Sequence, residues 1–378
     1  MKKEYFKNIK EVIEKSSKRA SSVLDINSNE RLNYLKFKSA FNYLYPIIKG
    51  SKNDYREYLI NKELTSLEIN YIHLLEKNGF SSHNGIKDLG DTPNIFCSFH
   101  MGSYISVCYY LVKNNITFSI VMGEESFNEK KEMFLFAYKK TLSVLKNSTS
   151  KIDFINGEKK NSIISMIKST RKGKSLLFYI DGNKGVKEFD NNDDNLVEID
   201  FLNVSIYSRK GISYLSNYLK INIIPIISYR ESHNKIKVNF LDPISYEGND
   251  REKYCLETTQ KIWSQFLVYF KKYPLQCESI YYINQFRKPY FQKKDKGFNI
   301  KDIFRFNSNR YEFYQLDKKI IYDKYNGLSK KLSDGYSDFL YKIHQKNIEL
   351  LGSDLMAIIN NKAIITTLVE NEYLIKNN

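Results

Sequence analysis

Cysteine is scarce: four residues, at positions 97, 108, 255 and 277, in a chain of 378. So few thiols, so widely scattered, do not make a disulfide framework, and a reducing, cytoplasmic setting fits best. Histidine is nearly as rare, with five residues. Cys97 and His100 stand at a spacing that could ligate a metal, but no second ligand pair accompanies them, so no metal site is expected. Nor do they form a thiol–imidazole nucleophile, because an odd offset along a strand points side chains to opposite faces. Long apolar runs are missing too. The start, MKKEYFKNIKEVIEKSSKRA, has the positive charge of a signal sequence without an apolar stretch behind it. Nowhere do about 18 uninterrupted apolar residues occur, so neither export nor a spanning helix is expected. There is no Walker loop, no GxGxxG fingerprint and no GxSxG elbow, which removes the sequence basis for nucleotide or serine-hydrolase chemistry. Internal repeats are absent.

What is present describes a folded enzyme-sized chain. Hydrophobic residues make up 42% and aromatics 15%, a globular composition with enough length for two or three domains. The formal charge is +16, from 59 Lys and Arg against 43 Asp and Glu. Such an excess suits an anionic partner: a phosphate-bearing cosubstrate, a membrane surface, an acidic carrier protein or nucleic acid. Most of it is Lys, in a chain also rich in Asn, Ile and Tyr, so a base-composition bias explains it equally well.

Residues 1–91 alternate charged and apolar positions at helical spacing, as in FKSAFNYLYPIIK and SLEINYIHLLEKNGF, with breaks at Gly50 and Gly79. From residue 94 short runs rich in Ile, Val and Phe take over. NIFCSF, FSIVMG, KIDFIN, SLLFYID, LVEIDFL and INIIPIISYR predict strands; the segments YISVCYYLVKN, NEKKEMFLFAYKKTLSVLKN, NSIISMIKSTRK and KGISYLSNYLK predict the helices between them. That alternation implies an α/β domain over residues 92–290, a mainly parallel sheet flanked by helices. REKYCLETTQKIWSQFLVYFKKYP adds a long final helix, ended by Pro274. Beyond the connector FQKKDKGFN, residues 300–378 predict a small α+β domain, with two or three strands in RFNSNRYEFYQLDKKIIYDKY and helices in SDGYSDFLYKIHQKN, capped by Ser333, and SDLMAIINNK. Its strands-then-helices order weakly resembles winged-helix or peptide-recognition modules; a stabilising appendage is the plainer role.

Four separated pieces carry the chemistry: FCSFHMGSY, LLFYIDGNKG, IDFLNVSIYSRKGISYLSNYLKINIIPIISYR and FKKYPLQCESIYYINQFRKP. Their order resembles the lysophospholipid acyltransferase superfamily, in particular its lipid A lauroyl and myristoyl acyltransferase branch. There a strand ends in a His-x-Gly motif, a strand ending in Asp with glycines follows, a Phe-Leu/Phe-Gly strand leads into a helix, a strand with Pro ends in Arg, and a Tyr-Pro, aromatic and basic tail closes the domain. The resemblance covers roughly residues 92–290, about half of the chain.

The resemblance implies transfer of an acyl group from an acyl carrier protein or coenzyme A thioester to a hydroxyl or amine, with no tightly bound cofactor. His100 would be the general base. Gly102 and Ser103 would bring backbone close to substrate, and the helix start behind them would face the oxyanion. The family places an acid five residues after its His, but this chain has Ile105 there. Either Asp181 or Glu124 substitutes, or the acceptor is a more reactive amine, or catalysis has been lost and only binding remains. DGNKG is also a good turn, so Asp181, Gly182 and Asn183 have a plain structural role beside the catalytic or substrate-binding one. Arg209, with Lys210, could hold the phosphate of a carrier arm or be ordinary solvated surface. Arg230 matches the family's Pro-to-Arg strand as a substrate ligand, or forms a structural ion pair. The implied partners are acyl carrier protein or acyl-CoA, a peptide or small-molecule acceptor, and an anionic membrane surface at the inner membrane face; nucleic acid is not expected.

Overall fold

The computed structural model describes residues 2–25, 28–44, 50–85, 92–182, 194–202, 204–247, 250–279, 283, 286, 297–314 and 320–376. By packing, the chain forms two units, one of Met1–Lys18 and Asn53–Lys288, the other of Arg19–Lys52 and Pro289–Asn378. The N-terminal helical region is therefore shared out between them.

The first unit begins with α1 (Lys2–Ser21); α2 (Asn29–Leu44) belongs to the second unit, and α3 (Lys52–Leu75) returns to the first. Then come β1 (Ser81–Asn84), β2 (Ile95–Ser98), α4 (Ser106–Lys113), β3 (Phe118–Met122), α5 (Glu124–Val144), β4 (Ile152–Asn156), α6 (Ser162–Arg171) and β5 (Ser175–Tyr179). The hairpin β6 (Leu196–Phe201) and β7 (Val204–Arg209) leads to α7 (Gly211–Leu219), β8 (Ile223–Ser232), β9 (Lys235–Phe240) and α8 (Arg251–Lys272). Seven strands form one sheet in the order β1-β9-β8-β2-β5-β3-β4. The five from β8 to β4 run parallel, while β9 is antiparallel to β8 and β1 is parallel to β9. IFCS of β2 is buried throughout, as a central parallel strand covered on both faces must be.

Chain direction places the helices. From β2 the chain crosses through α4 to β3, on one side of β2; from β5 it crosses through α7 to β8, on the other side. Right-handed crossovers running in opposite directions put their helices on opposite faces. On one face α4 and α5 pack with α1 and α3 in a core that includes Tyr5, Leu64, Phe96, Tyr110, Phe134 and Ile224. The other face carries α8, where Phe266 stacks on Phe99 with centroids 3.9 Å apart and Trp263 meets Phe99 and Phe201 edge-on. Adjacent strands β2 and β5 thus send the chain to opposite faces, and a crevice opens at their carboxyl ends.

Three strands escape the sequence pattern. SSHN of β1 has no apolar residue, β9 alternates as KIKVNF, and VSIYSR of β7 falls between the predicted segments LVEIDFL and KGISYLSNYLK. LVEIDFL does form β6, but β6 pairs with β7 alone, outside the main sheet. Its last four residues alternate between open and covered, as a one-faced hairpin requires, whereas the central strand β2 is covered on both faces.

The second unit contains α2, β10 (Ile303–Phe306), β11 (Tyr311–Tyr314), β12 (Ile320–Asp323), β13 (Leu328–Lys331), α9 (Asp334–Lys346), β14 (Leu350–Leu351), α10 (Gly352–Ile359), α11 (Lys362–Glu370) and β15 (Leu374–Lys376). It has two small antiparallel sheets, β14-β10-β15 and β11-β12-β13. Phe304, Phe306, Phe313, Leu340, Leu355 and Leu368 form its core. Ser333 occupies the cap position of α9 without a side-chain capping bond. Among the described residues no helix is long and apolar enough to cross a membrane.

Candidate active site

The crevice holds a histidine and an aspartate from adjacent strand ends. Ser98 of β2 is level with Tyr179 of β5, so two residues further His100 is level with Asp181. The His100 Nδ1 lies 2.8 Å from Asp181 Oδ1, and the His100 main-chain N–H donates to Oδ1 at 3.0 Å and Oδ2 at 2.9 Å. Asp181 is 1% exposed and the His100 side chain 22%. A carboxylate only accepts, so Nδ1 carries the hydrogen and Nε2 keeps its lone pair. Among the described residues nothing hydrogen-bonds to Nε2. The rings of Tyr104 and Tyr179 wall the imidazole, each with its centroid 4.9 Å away, and Tyr179 Oη donates to the Tyr104 carbonyl at 3.1 Å. Burial pushes both tyrosine hydroxyls well above their ordinary range, so these rings position and do not titrate near neutrality.

The turn carrying His100 is pinned from behind. Gly102 has φ +56°, and a Cβ there would stand 2.6 Å from Tyr229 Cα and 2.7 Å from Ser228 O. Only glycine fits. Its N–H donates to Gln276 O at 3.0 Å and its carbonyl accepts from Thr65 Oγ1 at 2.9 Å. The Glu278 N–H donates to His100 O at 2.8 Å, and Met101 bridges Cys277 antiparallel. The expected approach of substrate to Gly102 is thus corrected: β8 occupies that space. Ser103 is likewise fully buried, its hydroxyl 2.8 Å from that of Ser106.

Ile105 is 0% exposed in the apolar core where α4 begins. A carboxylate at that position would be buried among hydrocarbon, and the imidazole receives its carboxylate from the neighbouring strand instead. Glu124, the other candidate orienter, starts α5 beyond β3; it lines a cavity of about 340 Å³ with Glu125, Asn128, Glu129 and Glu158, and no bond joins it to His100. Gly182 is exposed directly after Asp181, and Asn183 lies outside the described residues. Arg209 is exposed at the end of β7, and Lys210 pairs with Glu252.

Arg230 requires a second correction. Its side chain is 1% exposed and bonds Glu68 at 2.9 and 2.6 Å and Thr65 Oγ1 at 2.9 Å, tying β8 to α3. Fully enclosed and paired, it is a structural ion pair and not a substrate ligand. Cys97 is buried, and burial pushes its thiol well up, which leaves it inert.

Sequence reading missed Glu278. It is the cross-strand partner of His100 in the short antiparallel pairing that continues from the Met101–Cys277 bridge, so the two side chains share one side. Glu278 is half-buried, and among the described residues no ion pair or hydrogen bond holds its carboxyl. Burial raises its proton affinity, opposed by the charges of His100, Lys130, Lys62 and Arg230. The signal was its place in QCES, just after the Tyr-Pro that ends α8.

No family model matches the chain, and no curated protein does. Among solved structures, the crystal structure of the 1-acyl-sn-glycerophosphate (LPA) acyltransferase PlsC from Thermotoga maritima is similar at a TM-score of 0.32 and 11% identity, covering 64% of this chain and 94% of that one. A likeness that slight carries no argument about this chain's chemistry.

Proposed function

We propose that the chain is an acyltransferase that moves an acyl group from an acyl carrier protein or coenzyme A thioester to a hydroxyl or amine. The observation that carries this is the 2.8 Å contact between His100 Nδ1 and Asp181 in the crevice at the carboxyl ends of β2 and β5, with Nε2 left to act. The order of the four sequence pieces supports the same reading. In the proposed reaction Nε2 of His100 removes the acceptor's proton as the acceptor attacks the thioester carbonyl. Asp181 holds the ring and offsets the charge of the imidazolium. The tetrahedral intermediate collapses by breaking its carbon–sulfur bond, and the imidazolium returns the proton to the thiolate. Base catalysis of this kind contributes about 10²- to 10⁴-fold.

The test is thiol release from acyl-CoA and acyl carrier protein thioesters of varied chain length, in the presence of hydroxyl and amine acceptors. Turnover that falls at least about 10³-fold in His100→Ala, with donor binding retained, is the expected result. Donor binding without turnover in the wild-type chain would overturn it in favour of an inactive acyltransferase-like protein that binds a carrier, lipid or peptide.

A further inference from the structure

Glu278 is the cross-strand neighbour of His100, and no described side chain holds its carboxyl, whereas one base suffices for a hydroxyl acceptor. An alcohol loses a single proton on acylation. An alkylammonium loses two: the first to become a nucleophile, the second as the new bond forms. A site with two proton acceptors on one side of a cross-strand pair matches the second case. The geometry points to a primary amine as the acyl acceptor, held as its ammonium by the Glu278 carboxylate and delivered to His100. This rests on the acyl-transfer reading and narrows its acceptor.

The steps balance. The ammonium gives its first proton to Glu278, breaking N–H and forming O–H. The freed nitrogen attacks the thioester carbonyl, and His100 Nε2 takes the second proton. Collapse breaks the carbon–sulfur bond, and the thiolate takes that proton from the imidazolium. Glu278 returns its own to water, so ammonium and thioester become amide, thiol and one released proton. The surroundings favour the first step. Burial strengthens Glu278 as a base, against the opposing charges of His100, Lys130 from α5, Lys62 from α3 and Arg230 from β8, and those same positive charges disfavour keeping the bound amine charged. The same sheet edge is acidic further along, where Glu124, Glu125, Glu129 and Glu158 line their cavity.

Calorimetry on the full chain with hexylamine and with 1-hexanol, without donor, reads the acceptor directly. Hexylamine binding should weaken at least tenfold in Glu278→Gln and return in part in Glu278→Asp, while 1-hexanol is indifferent to both. With acyl-CoA added, the N-hexyl amide should form faster than the hexyl ester, and Glu278→Gln should shrink that preference at least tenfold at an unfolding temperature no lower than that of wild type. Hexylamine that does not bind, or binds wild type and Glu278→Gln equally, overturns the inference. So does an ester-to-amide ratio indifferent to Glu278. Thiol release indifferent to His100 would sink acyl transfer instead, and donor-free amine binding separates the two failures.

Discussion

Each unit buries an aspartate at a strand end, and the two are used differently. Asp323, 0% exposed at the end of β12, accepts from Arg310 Nη2 at 2.9 Å, from Arg310 Nε, from the main-chain N–H groups of Tyr325 and Asn326, and from Asn326 Nδ2. Arg310 turns its remaining nitrogen to Glu372 at 2.7 Å. Every member of that network is answered from within, so it fixes a fold and has nothing left to offer. Asp181 is as deeply buried, but its partner is an imidazole with a second nitrogen free and a solvent-facing edge. A buried carboxylate thus closes its network in the second unit, and in the first it leaves an open nitrogen at the end of the chain of bonds.

The contrast can be broken at several points. Asp181→Asn should cost the most, because an amide no longer enforces the Nδ1–H tautomer: turnover on thioesters is expected to fall by about 10³- to 10⁴-fold, about 4–5.5 kcal/mol of transition-state stabilisation. Full activity in that variant would erase the distinction. Asp323→Ala leaves Arg310 buried without its main partner and should destabilise the second unit by about 3–5 kcal/mol in denaturant unfolding; a smaller loss would mean Glu372 alone satisfies the guanidinium. Gly102→Ala forces a methyl into the Tyr229 backbone at positive φ and is expected to destabilise the first unit by about 2–4 kcal/mol. Thermal unfolding of that variant measures it.

The smallest effect is one of pH. Burial raises the Glu278 carboxyl above its usual 4.5, so the folded chain binds that proton more tightly than the unfolded one. Its contribution to stability is fully present below 4.5 and is lost as pH rises through the raised folded value. Glu57 has the opposite sign: the hydrogen bond from His233 lowers it, so its contribution is present above 4.5 and lost as pH falls through the depressed folded value. Unfolding curves from about pH 2 to 8 on Glu278→Gln should lose the decline on the alkaline side and keep the one on the acid side.

Much of this frame was legible because local pattern sufficed. The apolar run NIFCSF is followed directly by His100 and the run SLLFYID closes on Asp181, so both mouths of the crevice could be seen as strand ends. Their register could not, since hydrophobic runs say where a strand lies and not which residue stands level with it. That is why Asp181 and Glu124 competed on paper and only one touches the imidazole. Glu278 was hidden for the same reason: its pairing with His100 joins segments far apart in the chain, and no periodicity announces it. Ile105 looked like a missing acid, yet it is a core residue, and the carboxylate beside the imidazole comes from the neighbouring strand. The strands β1 and β9 were invisible because neither carries the continuous apolar run of the central ones: SSHN has no apolar residue, and KIKVNF, though paired on both sides, alternates.

The bonds from residues 276–278 back to the His100 turn have a consequence for synthesis. A ribosome makes His100 long before it makes Gln276 and Glu278, so until that later stretch emerges the turn lacks the backbone that braces it. A nascent chain would therefore hold an unaimed imidazole, and the turn would be fixed late, when the first unit is almost fully translated.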